Sequence, residues 1–161
     1  MSIVAEANSR LLIIGVGSPF GADQVGWRVA ECLARSGTLR SASEMTWEVL
    51  IRDRPGVGLL NDLRGIERAV VIDAMRSNRE TGWVQRFTTE DVIDHGGVCS
   101  SHGFGVGEAL SLGRVLGELP EELSIFGVEI PAGGGVLSDG DFEAMAQRAA
   151  KMIERQLRKQ D

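Results

Sequence analysis

The fold class of this chain can be inferred from the segment Leu11-Leu12-Ile13-Ile14-Gly15-Val16-Gly17. A continuous run of large aliphatic residues that ends in a glycine turn is typical of a parallel strand buried on both faces. Directly after it, Val25, Val29, Cys32 and Leu33 recur with the period of an amphipathic helix. A buried strand, a glycine-rich turn and a helix open a β-α-β unit, so the sequence predicts an α/β fold.

The rest of the chain continues this alternation of strands and helices. Further strands are predicted at Thr46 to Ile51, at Ala69 to Ile72 (stopping at Asp73), at Trp83 to Phe87 as a half-exposed edge, and at Leu123 to Ile130. Helices are predicted at Gln24 to Arg35, around Leu59 to Leu63, after a Thr88 or Thr89 cap, within Phe104 to Leu116, and from a Ser138 cap with the stripe Phe142, Met145, Ala149, Met152, Ile153, Leu157. We expect one domain over residues 1–161, with any disorder in residues 1–9. Its predicted architecture is a three-layer sandwich in which a twisted, mostly parallel sheet of about five strands is flanked by helices.

Composition excludes several classes of protein. The 161 residues carry a formal net charge of −6 and only two cysteines. Scattered arginines in an acidic chain argue against nucleic-acid binding, which needs clustered positive charge. No apolar run approaches the roughly 20 residues that span a bilayer, and Met1 to Ser9 have neither the positive nor the apolar region that predicts a secretory signal. Two cysteines are too few for a disulfide framework, so we expect a reduced, cytoplasmic protein without membrane insertion.

Three polar residues lie where a ligand is expected in such a fold. Ligands of open α/β sheets bind outside the carboxyl ends of the strands. Asp23 lies in the turn after the first strand, Asp73 follows the third, and His102 lies in a Ser-Ser-His-Gly loop before a helix. Two carboxylates and an imidazole that meet at one rim would bind a divalent transition metal with coordination positions left open.

Each of these residues also has a structural interpretation. Asp23 can be the N-cap of the following helix, Asp73 can hold a loop through bonds to the backbone, and His102 can be a helix-start residue. A cysteine nucleophile at Cys99, with His102 three residues later as its base, is a further alternative. A dinucleotide site is disfavoured because Phe20 occupies the position of the third fingerprint glycine.

Three segments in this order resemble the nickel–iron hydrogenase maturation proteases. They are Gly15 to Gly26, Val71-Ile72-Asp73-Ala74, and Ser100-Ser101-His102-Gly103-Phe104-Gly105. The resemblance covers nearly the whole chain and implies a five-stranded sheet between helices. It also implies an endopeptidase that removes the C-terminal extension of a nickel-loaded [NiFe]-hydrogenase large-subunit precursor. It places both the nickel contacts and the catalytic role on Asp23, Asp73 and His102, with the nickel carried by the precursor and not by the free protease.

Two departures from the family pattern accompany the resemblance. Ala22 stands where relatives carry the first acid of an acidic pair, and Asp53-Arg54-Pro55 replaces an Asp-Gly-Gly stretch that is thought to help choose the substrate. Two other functions stay open from the sequence. One is a non-catalytic nickel checkpoint that docks on the precursor, and the other is a small-molecule α/β enzyme that uses the glycine-rich loops.

Overall fold

The computed structural model describes residues 10–36, 46–94 and 105–159 of the chain. Within them the strands are β1 (Arg10–Gly17), β2 (Thr46–Asp53), β3 (Arg68–Met75), β4 (Val84–Phe87) and β5 (Glu122–Glu129). The α-helices are α1 (Val25–Arg35), α2 (Leu59–Leu63), α3 (Thr89–Asp94), α4 (Val106–Leu116) and α5 (Asp139–Arg158), with short 3-10 helices at Gly21–Gln24, Gly56–Gly58 and Ala132–Gly134. Each segment predicted as a strand or a helix has its counterpart in these elements.

The strands form a single sheet with the order β2-β1-β3-β5-β4. The four neighbouring strands β2, β1, β3 and β5 run parallel to one another. The edge strand β4 runs antiparallel to its neighbour β5. This arrangement confirms the predicted mostly parallel sheet of about five strands. It also places the carboxyl ends of β1, β3 and β5 next to one another at the same edge.

Both faces of the sheet are covered, which explains the continuous apolar runs in the strands. On one face, α1 and α5 pack with side chains such as Ile13 and Val70 into one buried cluster. On the other face, α2, α3 and α4 pack with Ile14 and Val71 into a second cluster. Because successive side chains of a strand point to opposite faces, a strand between two helical layers must be apolar at nearly every position.

Two predicted helix caps, Ser138 and Thr88, are confirmed by their hydrogen bonds. Ser138 is the N-cap of α5, and its hydroxyl accepts a hydrogen bond of 3.2 Å from the backbone N–H of Asp141. The Thr88 hydroxyl accepts the equivalent bond from Asp91 N–H at 3.2 Å before α3. One member of the predicted α5 stripe is wrong, since Met152 is 41% exposed. In the described ranges, no helix combines the length and apolar character that crossing a bilayer requires.

Candidate active site

Two glycines allow α1 to begin directly against the sheet. A Cβ atom on Gly26 would lie 2.1 Å from the carbonyl oxygen of Val16 and 2.6 Å from that of Ile72. A Cβ on Gly15 would lie 2.5 Å from the carbonyl oxygen of Gly26. Only hydrogen fits at these positions, so the first turn of α1 contacts the ends of both β1 and β3. The glycines around this turn therefore serve close packing of helix on strand.

The same contact places Asp23 at the carboxyl end of the sheet. Asp23 belongs to the 3-10 helix Gly21–Gln24 that leads into α1, and it is only 7% exposed. The Ser18 hydroxyl donates a hydrogen bond of 3.3 Å to Asp23 Oδ2, and the Ser18 N–H donates to the Asp23 carbonyl oxygen at 3.4 Å. The N-cap of α1 is Gln24, and no side-chain hydrogen bond caps the helix. The interpretation of Asp23 as an N-cap is therefore wrong.

Asp73 lies inside β3 and not at its end. The strand continues to Met75, because β3 keeps its pairing with β5 through Asp73–Gly127 and beyond. The prediction that the strand stops at Asp73 is therefore wrong by two residues. Its side chain is 9% exposed, and the backbone N–H of Ala74 donates to Asp73 Oδ1 at 2.8 Å. This carboxyl group is thus held by the sheet itself.

Burial changes the protonation of this carboxyl group. Removal from water raises the pKa of Asp73 to about 8, the hydrogen bond from Ala74 N–H opposes the rise, and the nearby charge of Asp23 adds to it. At neutral pH Asp73 is therefore mostly a neutral carboxylic acid beside Asp23. A carboxyl group that gives up its proton near pH 7 to 8 is suited to proton transfer, and a neighbouring cation would favour its charged form.

The structure therefore brings Asp23 and Asp73 together at the carboxyl ends of adjacent strands. His102, the third predicted member of the site, lies outside the described residues, as does Cys99. Among residues 10–36, 46–94 and 105–159, no three His, Cys, Asp or Glu side chains are grouped so that they could hold a metal ion. The three-residue metal site stays a prediction, and the buried carboxylate pair is its described part.

A cleft beside Asp23 contains residues that the sequence reasoning missed. Its volume is about 390 Å³, and its lining includes the apolar side chains of Phe20, Val136 and Leu137 together with Arg28 and Arg76. Arg76 directly follows the last residue of β3. Arg76 could have been identified from the sequence, because ligands of such sheets bind beyond the carboxyl ends of the strands.

A second missed residue is Glu129, the last residue of β5. It is 2% exposed, and its carboxylate accepts hydrogen bonds from the Ser77 hydroxyl at 2.6 Å and the Ser77 N–H at 2.9 Å. This contact fixes the segment that leaves β3 at the carboxyl end of the sheet. A single glutamate within an apolar strand pattern was the signal for such a role, since buried carboxylates need partners.

The segment Asp53-Arg54-Pro55, which departs from the family's Asp-Gly-Gly pattern, keeps a backbone conformation that glycine favours. Arg54 has a φ of +41°, in the left-handed region that glycine occupies most readily. Its N–H donates to the carbonyl oxygen of Gly17 at 2.9 Å, and its guanidinium lies 5.6 Å from the ring centre of Phe20. The arginine therefore keeps a glycine-like backbone and adds a cation–π contact next to the turn that carries Asp23.

Comparison with known proteins identifies the family of this fold and site. The family model described as hydrogenase maturation protease (HycI) matches residues 29–156, well over half of the chain. The matched range includes Asp73 and His102 and begins after Asp23. Over 127 residues the chain is 28% identical to the hydrogenase expression/formation protein HupD of Thiocapsa roseopersicina, covering 77% of this chain and 56% of that protein. The chain thus spans little more than half the length of this relative.

Solved structures agree with this match. The hydrogenase maturating endopeptidase HybD from E. coli has a TM-score of 0.72 and 25% identity, covering 94% of this chain and 93% of that one. The [NiFe] hydrogenase maturation protease HybD from Thermococcus kodakarensis has a TM-score of 0.65 and 26% identity, covering 91% and 97%. By its sequence match and its fold, this chain belongs to the hydrogenase maturation protease family.

Proposed function

We propose that this chain is a cytoplasmic endopeptidase that removes the C-terminal extension of a nickel-loaded [NiFe]-hydrogenase large-subunit precursor. Its family consists of proteases, and the similar proteins of E. coli and Thermococcus kodakarensis are described as a hydrogenase maturating endopeptidase and a [NiFe] hydrogenase maturation protease. The observation that carries the proposal is the buried pair of Asp23 and Asp73 at the carboxyl edge of the sheet. Two carboxyl groups buried next to each other are costly, which is typical of functional sites.

The chemistry follows from the state of this pair and from the substrate. Nickel arrives on the precursor, where thiolates hold it more strongly than two carboxylates and an imidazole would. Asp23, Asp73 and His102 bind the exposed side of this ion, and Asp73 releases its proton because the cation favours the carboxylate. The bound ion then fixes the nearby peptide bond, and a metal-polarised carbonyl group or an activated water permits its hydrolysis.

The glycine-rich turn supports a peptide substrate over a nucleotide. A phosphate cradle needs open backbone N–H groups, whereas a Cβ on Gly17 would lie 2.4 Å from the Asp23 carbonyl oxygen. At Gly15 and Gly26, the space beside the Cα atom is likewise taken up by the contact between α1 and the sheet. These three glycines therefore serve the contact between α1 and the sheet and do not form an open phosphate cradle.

The direct test is incubation of the purified protein with nickel-loaded precursor, followed by intact-mass spectrometry. The proposal expects a mass loss that matches the C-terminal extension. A matched control is Glu122→Gln, which changes an exposed carboxylate at the opposite end of the sheet and should process normally. Stable binding of the precursor without any mass loss would contradict the protease and support a nickel checkpoint. Protection of the fold by nucleotides in a thermal-shift screen, with no binding of precursor, would support the small-molecule enzyme.

A further inference from the structure

The cleft beside Asp23 has the character of a binding surface for an extended peptide. Phe20 is 67% exposed and Val136 is 94% exposed, and both line the cleft. Large apolar side chains left in water at the rim of a cleft mark a contact surface. Because the turn of Asp23 forms one wall, a chain that lies in the cleft passes directly by the candidate site.

The two arginines of the cleft differ in their partners. Arg28 forms an ion pair of 3.3 Å with Glu31 on the same helix. No hydrogen bond or ion pair joins the exposed guanidinium of Arg76 to another residue in the described part of the chain. A guanidinium with its donors free matches the geometry of a carboxylate, which it binds through two parallel hydrogen bonds. Arg76 is therefore the cation of this cleft that is available to a ligand.

The backbone on both sides of Arg76 is fixed. Met75, the preceding residue, is fully buried, and Ser77, the following residue, is held by the buried Glu129 carboxylate at 2.6 Å and 2.9 Å. Only the side chain of Arg76 must be ordered when a ligand binds, which lowers the entropic cost of binding. Such an arrangement positions the Arg76 guanidinium for recognition of a ligand.

We infer that Arg76 is a specificity-determining residue that binds a carboxylate group of the precursor's C-terminal extension as this segment lies in the cleft beside Asp23. The inference rests on the proposed function for the identity of the peptide. Phe20 and Val136 contact the apolar part of the same segment. Glu129 acts as a positioning residue, since it touches Ser77 and not the ligand.

The experiment measures two quantities for the same set of variants. The first is the KM and kcat of precursor processing, and the second is the affinity for a fluorescein-labelled synthetic peptide that matches the C-terminal extension. Arg76→Gln should raise KM and weaken peptide binding by about tenfold or more, because a charge-assisted hydrogen-bond pair is lost, while kcat stays within about twofold. Arg79→Gln is the matched control, since Arg79 lies on Trp83 outside the cleft and should change neither quantity.

Modified peptides identify the source of the carboxylate. Amidation of the peptide's C-terminus removes the terminal carboxylate, and Asp→Asn or Glu→Gln replacements remove the side-chain carboxylates one at a time. One of these changes should weaken binding to the wild-type protein and have no further effect on Arg76→Gln. If every modified peptide binds the wild-type protein normally, or if Arg76→Gln and Arg79→Gln behave alike, the inference is overturned.

The two readouts separate this inference from the proposed function. Peptide binding that depends on Arg76, without any cleavage of precursor, would sustain the cleft assignment and refute the protease. Normal processing with no measurable peptide binding by the wild-type protein, or with an unchanged KM in Arg76→Gln, would refute the cleft assignment and leave the protease intact.

Discussion

Charged residues at the two ends of the sheet differ in how they are paired and how deeply they are buried. At the amino ends of the strands, Arg68 and Glu122 form an ion pair of 2.7 Å between neighbouring strands, and Arg10 pairs with Glu48. At the carboxyl ends, Asp23 and Asp73 are like-charged when ionised and are 7% and 9% exposed. Opposite charges also pair at the carboxyl end, at Asp53 and Arg54, so the difference lies in the two acids that this end buries side by side.

Cleft size alone would place the candidate site at the amino end of the sheet and not beside Asp23. The cleft at the amino end has a volume of about 680 Å³, against about 390 Å³ for the cleft beside Asp23. In the larger cleft two arginines already have partners, since Arg68 pairs with Glu122 and Arg86 donates to the Ser124 hydroxyl at 2.7 Å. An arginine that already has a partner offers less to a ligand, whereas burial raises the pKa of Asp73 to about 8, and a neighbouring cation would favour its charged form.

The largest expected effect is loss of processing when the carboxyl end is changed. Asp23→Asn, Asp73→Asn and His102→Ala should each lower kcat/KM by about a hundredfold or more, because each removes a group that the proposed function assigns to the nickel of the substrate. Members of one unit are not additive, so Asp23→Asn/Asp73→Asn should be about as inactive as either single variant. Intact-mass kinetics with circular dichroism as a control for folding measures this. Wild-type rates in all three single variants would place the site elsewhere.

The second effect concerns stability and pH. Asp73 has a pKa near 3.8 when unfolded and about 8 when folded, so between these values only the folded state holds the proton. Stability from this group is fully present below pH 3.8 and is lost progressively as the pH rises from there through 8, by roughly 6 kcal/mol at most. Asp73→Asn should therefore be more stable than the wild type at pH 8.5, with a smaller gain at pH 5.

Urea unfolding at pH 5, 7 and 8.5 measures this difference. Asp53→Asn is a suitable control, since Asp53 is exposed and the hydrogen bond from Arg54 lowers its pKa. Its stability relative to the wild type should not change between pH 7 and 8.5, because Asp53 is ionised throughout that interval. A constant difference between Asp73→Asn and the wild type across the three pH values would mean that Asp73 titrates like an ordinary surface acid.

A smaller effect is expected at Ala22, next to the acid pair. Ala22 is half-buried against the apolar cluster of β1, α1 and α5. Ala22→Asp should therefore lower stability by about 1 kcal/mol through partial desolvation of the new carboxylate and change processing by only a few-fold. It should not restore activity to Asp23→Ala. Restored processing in the double variant would show that positions 22 and 23 are interchangeable and that the motif alignment is off by one residue.

The smallest effect is expected at the amino end. Arg68→Gln should lower the free energy of unfolding by about 1 kcal/mol and leave processing unchanged, since Glu122 is exposed and its ion pair with Arg68 is partly screened by water and salt. Thermal unfolding at low and high salt gives the size of the effect and its electrostatic share. A loss of activity in this variant would remove the functional contrast between the two ends of the sheet.

Most of the fold could be predicted because its causes are local. Apolar runs such as Leu11 to Ile14 require a strand covered on both faces, and Ser138 with Asp141 marks the start of α5. Strand ends were less predictable. An aspartate after four apolar residues resembles the end of a strand, and only pairing with β5, distant in sequence, carries β3 on to Met75.

The candidate site was predictable only in part for a related reason. The sequence placed Asp23 and Asp73 at the correct edge, yet their burial depends on the contact of Gly26 with both β1 and β3. Arg76 and Glu129 were missed because their roles arise from neighbours distant in sequence. Glu129 stands out only once Ser77 is known to lie against it.

The claim that the acid pair acts on nickel carried by the precursor is tested by comparing nickel-loaded with empty precursor. Both are incubated with protease that has first been treated with a chelator and then freed from it. If the acid pair acts on an ion carried by the substrate, loaded precursor loses its extension at the untreated rate, and empty precursor stays uncut until nickel is inserted. Metal analysis of the isolated protease should find less than stoichiometric nickel. Cleavage of empty precursor, or activity that returns only when the protease itself is supplied with metal, would contradict the account.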